Sequence, residues 1–345
     1  MAPISPSDQS DQRACNTYFQ DNKVAVTVLS GSIMDECVKK AGAFNFGGSG
    51  SGNNSIPETF VKYPHRIDIG GFNNVRLGQV TVNELARHGY FDPGARIGIV
   101  TWDDPLYRTG VEQGYEPALK RLGLSLGIPT AYLHSPAAVQ EIGQTSADVG
   151  SAVLRFKTAD VTHVMILDGT SGACAGNCIS LEWLQQAEAQ RFHPRYGFND
   201  TTAARYIEEQ GLAPEAQMQR SMSVTWISLD NTYDVGWHPN QTRERCYKLM
   251  RERGVDMENA NQQGAALGAC ETFWFLQDVI GRIRGPLTQE ALLASINSVG
   301  YSFTSTISWY TFIGPSRHDG FAGVRIIAFD DANGRYKYLT TPYRV

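Results

Sequence analysis

The chain has 345 residues, 42% of them hydrophobic and 19% charged, and carries a formal net charge of −5. Such a length allows two domains of ordinary size or one large α/β body, and the apolar fraction excludes a disordered chain. The acidic balance gives no electrostatic reason to expect nucleic acid, and no apolar run approaches the ~18 residues that a membrane span needs.

Residues 1–12 read as a polar tail, without the basic and apolar regions of a secretory signal. Residues 13–22 have a helical pattern, residues 23–29 a strand pattern closed by Ser30-Gly31-Ser32, residues 33–41 a helix and residues 44–46 a short strand. The Gly/Ser/Asn run 47–54 then reads as a loop beside a site rather than a domain boundary, because a strand and a helix flank it at normal spacing. In residues 72–89, Val75, Leu77, Val80, Val82, Leu85 and Ala86 form the apolar stripe of a helix, and the turn 92–94 follows.

Residues 95–123 organise the rest of the chain. Ile97, Ile99 and Val100 make a β-branched run of the kind buried on both faces of a parallel sheet, and it ends at Trp102 and Asp103. Asp104 is placed to cap a helix with Pro105 in its first turn, and Val111, Tyr115, Ala118, Leu119 and Leu122 recur at helical spacing until Gly123. The alternation continues with a strand at 130–134, a helix at 142–157, a strand at 161–167 ending at Asp168-Gly169, a helix at 179–192, a strand ending near Asp200 and a helix at 201–210. Strands alternating with helices imply a parallel, doubly wound sheet. From 241 three helical patterns follow, at 241–254, 264–284 and 288–299, and the chain closes on two β pieces, 324–329 and 336–339, joined by the turn 330–334. The whole reads as two α/β lobes with the chain crossing between them more than once: lobe I from 1–93 and 236–310, lobe II from 94–235 and 311–345.

The six cysteines fall into sequence-local couples, Cys15 with Cys37, Cys174 with Cys178 and Cys246 with Cys270. An even count suits disulfides in an oxidising compartment, with six buried thiols as the alternative; the connectivity stays open. Zinc is disfavoured, since Cys174-x-x-x-Cys178 has no second Cys or His pair at ligand spacing. There is no Gly-x-Ser-x-Gly elbow, no phosphate loop and no His-Glu-x-x-His helix, so neither an enzyme nor a cofactor or metal is expected. His163 reads as an interior side chain, His318 as part of a turn, and Asn53, Asn199 and Asn240 match the glycosylation sequon. What remains is a set of polar and aromatic loops at strand ends: Ser30 and Ser32, Gly48 and Ser49, Trp102, Asp103 and Tyr107, Asp168, and Asp200. Two lobes presenting such loops across a cleft form a ligand site of the ordinary kind, so binding without chemistry is the economical reading.

The strings Lys23-Val-Ala-Val with its Ser-Gly-Ser turn, Arg96-Ile-Gly-Ile-Val-Thr-Trp-Asp-Asp-Pro-Leu-Tyr-Arg-Thr-Gly and Asp160-Val-Thr-His-Val-Met-Ile-Leu-Asp, in this order, resemble type I periplasmic solute-binding proteins. The branch is the one serving branched-chain amino acid and amide ABC transporters, whose fold is shared with receptor ligand-binding domains. The resemblance implies two doubly wound α/β lobes joined by a multi-crossing hinge. It implies an extracytoplasmic protein, periplasmic or at the cell surface, that closes on a small polar ligand, amino acid or amide-like, and delivers it to an ABC permease in the membrane. A receptor or sensor ectodomain of the same fold is the alternative. By position, the family's first-lobe hydroxyl and main-chain contacts fall on Ser30, Ser32, Gly48 and Ser49. Its second-lobe aromatic and acidic contacts fall on Tyr107, Asp168 and Asp200, beside Trp102 and Asp103. Cys15 and Cys37 flank the first strand as a disulfide does in some members. The family also begins with a strand-helix-strand unit ahead of the region matched here. The resemblance therefore implies that the first lobe is truncated at its N-terminus, that the signal sequence is absent from this chain, and that the strand 23–29 presents an open edge.

Overall fold

Alternation of apolar and polar residues along three short strands decides how the first sheet is built. In the computed structural model, which describes residues 13–28, 34–47, 55–136, 138–171, 173–175, 177–227, 240–257 and 260–345, the strands β1 (Val26–Val28), β2 (Phe44–Gly47) and β3 (Arg66–Asp68) pair in parallel in that order. The register sets Val26 beside Phe44 and Phe46 beside Ile67, so these apolar residues share a face. That face packs on Phe275, Val279, Leu292 and Ile296, which the helices Ala260–Arg282 and Gln289–Asn297 supply.

The opposite row is polar. Thr27, Asn45 and Arg66 stand side by side in register, next to the helix Asp35–Ala41. Arg66 donates from Nη1 to Asp35 Oδ2 at 2.7 Å and from Nε to Asp68 Oδ1 at 2.9 Å, while Asn45 Nδ2 donates to Asp35 Oδ1 at 2.7 Å. Burial of such charges is costly unless each is paired, and here all three are. Burial still raises the pKa of Asp35, against the lowering effect of Arg66 and Asn45.

The chain forms two compact units, Met1–Phe72 with Pro239–Gly323 and Asn73–His238 with Val324–Val345. The exchanges therefore occur at 72/73, 238/239 and 323/324, where the sequence pattern placed them at 93/94, 235/236 and 310/311. The helix Asn74–Arg87 packs within the second unit, and residues 311–323 belong to the first.

The second unit is built on a sheet of eight strands. β4 (Ile97–Trp102), β5 (Ala131–Leu133), β6 (His163–Leu167), β9 (Arg195–Asn199) and β10 (Met222–Thr225) run parallel in the spatial order β5-β4-β6-β9-β10. β11 (Gly323–Asp330) and β12 (Arg335–Tyr338) add antiparallel to that end, and β13 (Tyr343–Arg344) pairs with β11. A two-stranded hairpin, β7 (Thr170–Ser171) with β8 (Cys174–Ala175), sits between β6 and the helix Cys178–Ala189. Asp104 caps the helix after β4, accepting from Leu106 N at 2.8 Å. That helix continues to Arg121 through a π-helical stretch, Gly110–Tyr115.

Several elements were not legible in the residue pattern: the helix Pro57–Lys62, β3, the β7–β8 hairpin, the short helix Glu215–Met218 and β10. The predicted cysteine couples all pair, as Cys15–Cys37, Cys174–Cys178 and Cys246–Cys270, and the alternative of buried thiols falls away. Two of the sequons are structural instead. Asn199 is fully buried and donates to Thr81 Oγ1 and the Tyr115 hydroxyl, and Asn240 is buried and caps the helix Gln241–Glu252. Asn53 lies outside the described residues.

Candidate functional site

Numbered within the second unit, the parallel strands take the order 2-1-3-4-5. In such a sheet the chain switches direction between the first and third strands, here β4 and β6, and ligands bind outside the carboxyl ends at that point. Trp102 ends β4, Asp103 and Tyr107 follow it, Asp168 follows β6, and Asp200 follows β9. Ser30, Ser32, Gly48 and Ser49 lie outside the described residues.

The switch point is densely bonded. Trp102 is fully buried and its indole Nε1 donates to the Gly169 carbonyl at 3.2 Å. Gly169 has φ +137°, and a Cβ built there would stand 2.6 Å from the Tyr107 hydroxyl, so this position needs glycine both for its backbone and for the ring beside it. Asp168 is fully buried; its Oδ1 accepts from Gly169 N at 2.8 Å, and its Oδ2 from Ser180 N at 2.8 Å and Ser180 Oγ at 2.6 Å. Ser180 lies in the first turn of the helix Cys178–Ala189, where an anion is favoured. Burial nevertheless pushes the Asp168 carboxyl up to about 6, and the bonds from Ser180, Gly169 and Trp102 oppose it. Tyr107 is also buried, and burial followed by the charges of Asp168 and Asp104 raises its phenol.

Exposed groups form the lip of this edge. Asp103 is paired with Arg108 at 2.6 Å, which lowers its carboxyl, and the Arg108 guanidinium lies 3.9 Å from the centre of the Tyr132 ring. Asp200 is half-buried and directs Oδ2 to Thr225 Oγ1 at 2.9 Å, Trp226 N at 2.6 Å and Ile227 N at 2.8 Å. Burial pushes its carboxyl up to about 6, opposed by those three donors. With Arg205, Ser223 and Tyr338 it lines a cavity of about 60 Å³, room for water rather than for a whole amino acid.

The structure thus brings Trp102, Tyr107 and Asp168 together as a buried support, leaves Asp103 at the surface, and uses Asp200 to hold the end of β10. Residue patterns did not reveal the partners: Ser180, Thr201, whose Oγ1 accepts from Asp168 N at 3.2 Å, and the Arg108–Tyr132 stack. Among the described residues no group of three or more His, Cys, Asp or Glu is arranged to hold a metal ion.

Solved structures share this architecture over the whole chain. A substrate-binding protein of an ABC transporter from Aeropyrum pernix matches 99% of this chain and 82% of its own, with a TM-score of 0.69 at 12% identity. The chain has the fold of the type I periplasmic binding proteins. A second structure of this fold, a solute-binding protein from Rhodopseudomonas palustris HaA2 in complex with p-hydroxybenzoic acid, matches 100% of this chain and 85% of its own, with a TM-score of 0.70 at 10% identity. A leucine-binding protein from Thermotoga maritima matches 99% and 86%, with a TM-score of 0.66 at 12% identity. No family model matches the sequence, and no curated protein matches it. At such identities the type I fold is carried by element order and strand topology. His163 fits it as an interior residue, 3% exposed, and His318 is buried with its pKa lowered by that burial.

Proposed function

We propose that this protein is an extracytoplasmic solute-binding component of an ABC transporter, which captures a small polar ligand carrying an amino acid, amide or carboxylate group and presents it to a membrane permease. The observation that supports this reading best is the full-length likeness in fold to solute-binding proteins, with a doubly wound sheet whose switch point carries Trp102, Asp103, Tyr107 and Asp168. Three disulfides suit an oxidising compartment. No helix among the described residues is long and apolar enough to cross a membrane. In this reading the protein is not an enzyme: Asp168 and Asp200 serve as loop anchors, and the proposed ligand set is Ser30, Ser32, Gly48, Ser49, Asp103 and the groups supported by Trp102, Tyr107, Asp168 and Asp200.

A ligand that binds only the folded state raises thermal stability by mass action. Neighbours of this fold were solved with p-hydroxybenzoic acid, 3,4-dihydroxybenzoic acid and Leu, so a thermal-shift screen should span amino acids, amides and hydroxybenzoates. A rise in melting temperature for one class, confirmed by calorimetry, supports the reading; no shift and no heat for any of them refutes it. A neighbour from Verminephrobacter eiseniae is described as an extracellular ligand-binding receptor, which favours a sensor as the second reading. Permease and ATPase genes beside this one would decide for transport.

A further inference from the structure

We propose that the cavity beside Asp200 is a binding site for a small neutral amide, held by Asp200 Oδ1, the Ser223 hydroxyl and the Arg205 guanidinium. The site lies within the second unit alone and is independent of the ligand that the protein captures for transport. Ser223 and Ile327 stand side by side in register on β10 and β11 and form its floor, and the helix Ala204–Glu209 supplies Ala204 and Arg205 to its wall. Side chains as small as Ala203, Ala204 and Ser223 leave about 60 Å³ unfilled. At about 10–15 Å³ per water, that space takes roughly four waters, or one molecule of about four non-hydrogen atoms.

Three polar groups line this space with bonding capacity left over. Asp200 spends Oδ2 on Thr225 Oγ1 and the amides of Trp226 and Ile227, while its Oδ1 accepts no bond among the described residues. Ser223 is 2% exposed, and its hydroxyl bonds to nothing among the described residues. Arg205 is 8% exposed; its Nε donates to Glu209 Oε1 at 2.8 Å, and its two Nη groups donate to no acceptor among the described residues. Leaving such buried groups bare is costly, and their convergence on one cavity marks a place for an occupant.

The charges of the lining select the class of molecule. A small cation meets the Arg205 guanidinium and a small anion meets the Asp200 carboxylate, so an ion of either sign faces a like charge. A neutral amide does not. Its carbonyl accepts from the Arg205 Nη groups, and its NH₂ donates one proton to Asp200 Oδ1 and the other to Ser223 Oγ. An alcohol of the same size has a single donor and leaves one acceptor bare. Thr225, Trp226 and Ile227, which bond Asp200 Oδ2, stand where the chain leaves β10 toward the crossing at 238/239. An amide that fixes the carboxylate through Oδ1 therefore also tightens its grip on this strand end.

The test is a titration of the whole protein with acetamide, acetate and methylammonium at pH 8, followed by ligand-observed NMR, with amide hydrogen exchange measured across residues 222–227. Acetamide should bind with a dissociation constant of about 1 mM, in keeping with its four non-hydrogen atoms, and the two ions should bind at least tenfold more weakly. Exchange in 222–227 should slow about threefold when acetamide is bound. Ser223→Ala and Arg205→Lys, each removing one partner by a different route, should weaken acetamide about fivefold. No binding of acetamide, binding of acetate or methylammonium as tight as that of acetamide, unchanged exchange in 222–227, or parental affinity in both variants overturns the proposal.

Discussion

Ser180 binds the Asp168 carboxylate twice, through its amide at 2.8 Å and its hydroxyl at 2.6 Å, across 12 residues of chain. The pair ties the end of β6 to the helix that follows the β7–β8 hairpin, and it does so where both residues are fully buried. Ser180→Ala removes one donor from a buried carboxylate, a loss of about 1.5–3 kcal/mol. Urea unfolding should show the midpoint falling with an unchanged slope, and a variant as stable as the parent would mean that the hydroxyl contributes nothing.

Acidity should matter in a defined direction. Asp168 titrates at about 6 in the folded protein, against roughly 3.9 for an unperturbed aspartate. Between these values the folded state holds a proton that the unfolded state has released. This group's contribution to stability is therefore greatest at the acid end and declines as pH rises from about 4 to about 6. Asp200, also raised to about 6 by burial, acts in the same sense. Denaturation measured across this window should give a shallower slope for Asp168→Asn than for the parent; an identical slope would show that Asp168 does not titrate there.

The exposed lip separates binding from folding. Asp103 and Arg108 are half open to solvent, with side-chain exposures of 50% and 40%, and exposed pairs of this kind contribute about 0–1 kcal/mol. Asp103→Ala and Arg108→Ala should leave the melting temperature nearly unchanged while weakening, by roughly tenfold, the affinity for whichever ligand the thermal-shift screen identifies, since a charge-assisted hydrogen bond is lost. Affinity equal to the parent's in both variants would remove Asp103 from the ligand set.

In the first unit, a Cβ added to Gly47 would collide with Asp68 Oδ1, the oxygen that Arg66 Nε holds at 2.9 Å. Gly47→Ala must displace a buried carboxylate from a buried guanidinium, and overpacking of this kind costs about 1–3 kcal/mol. Chemical denaturation measures it; a cost of only a few tenths would show that the Arg66 cluster can shift without penalty.

Where residue patterns were periodic, they located structure well. The strand and helix of 97–121 were legible because β-branched residues, an Asp-Pro start and a helical apolar stripe agree. β3 was not, since Arg66-Ile67-Asp68 shows one apolar residue between two charges, and those charges become buried only by pairing with each other and with Asp35, 31 residues upstream of Arg66. The positions of Asp168 and Asp200 at strand ends followed from the alternation. Their use did not, because the amides that occupy the Asp200 carboxylate come from 26 and 27 residues downstream, just after a strand with no periodic signal of its own.

Because the chain changes unit at 72/73, 238/239 and 323/324, neither unit is a continuous stretch of polypeptide, and the order of synthesis is not the order of folding. Phe44, Phe46 and Ile67 leave the ribosome long before Phe275, Val279 and Ile296, the residues that cover them. The second unit in turn waits for β11, which pairs with β10 across roughly a hundred residues. The nascent chain must therefore carry an uncovered apolar sheet face through most of translation. A folding delay and a demand for chaperones follow from that connectivity.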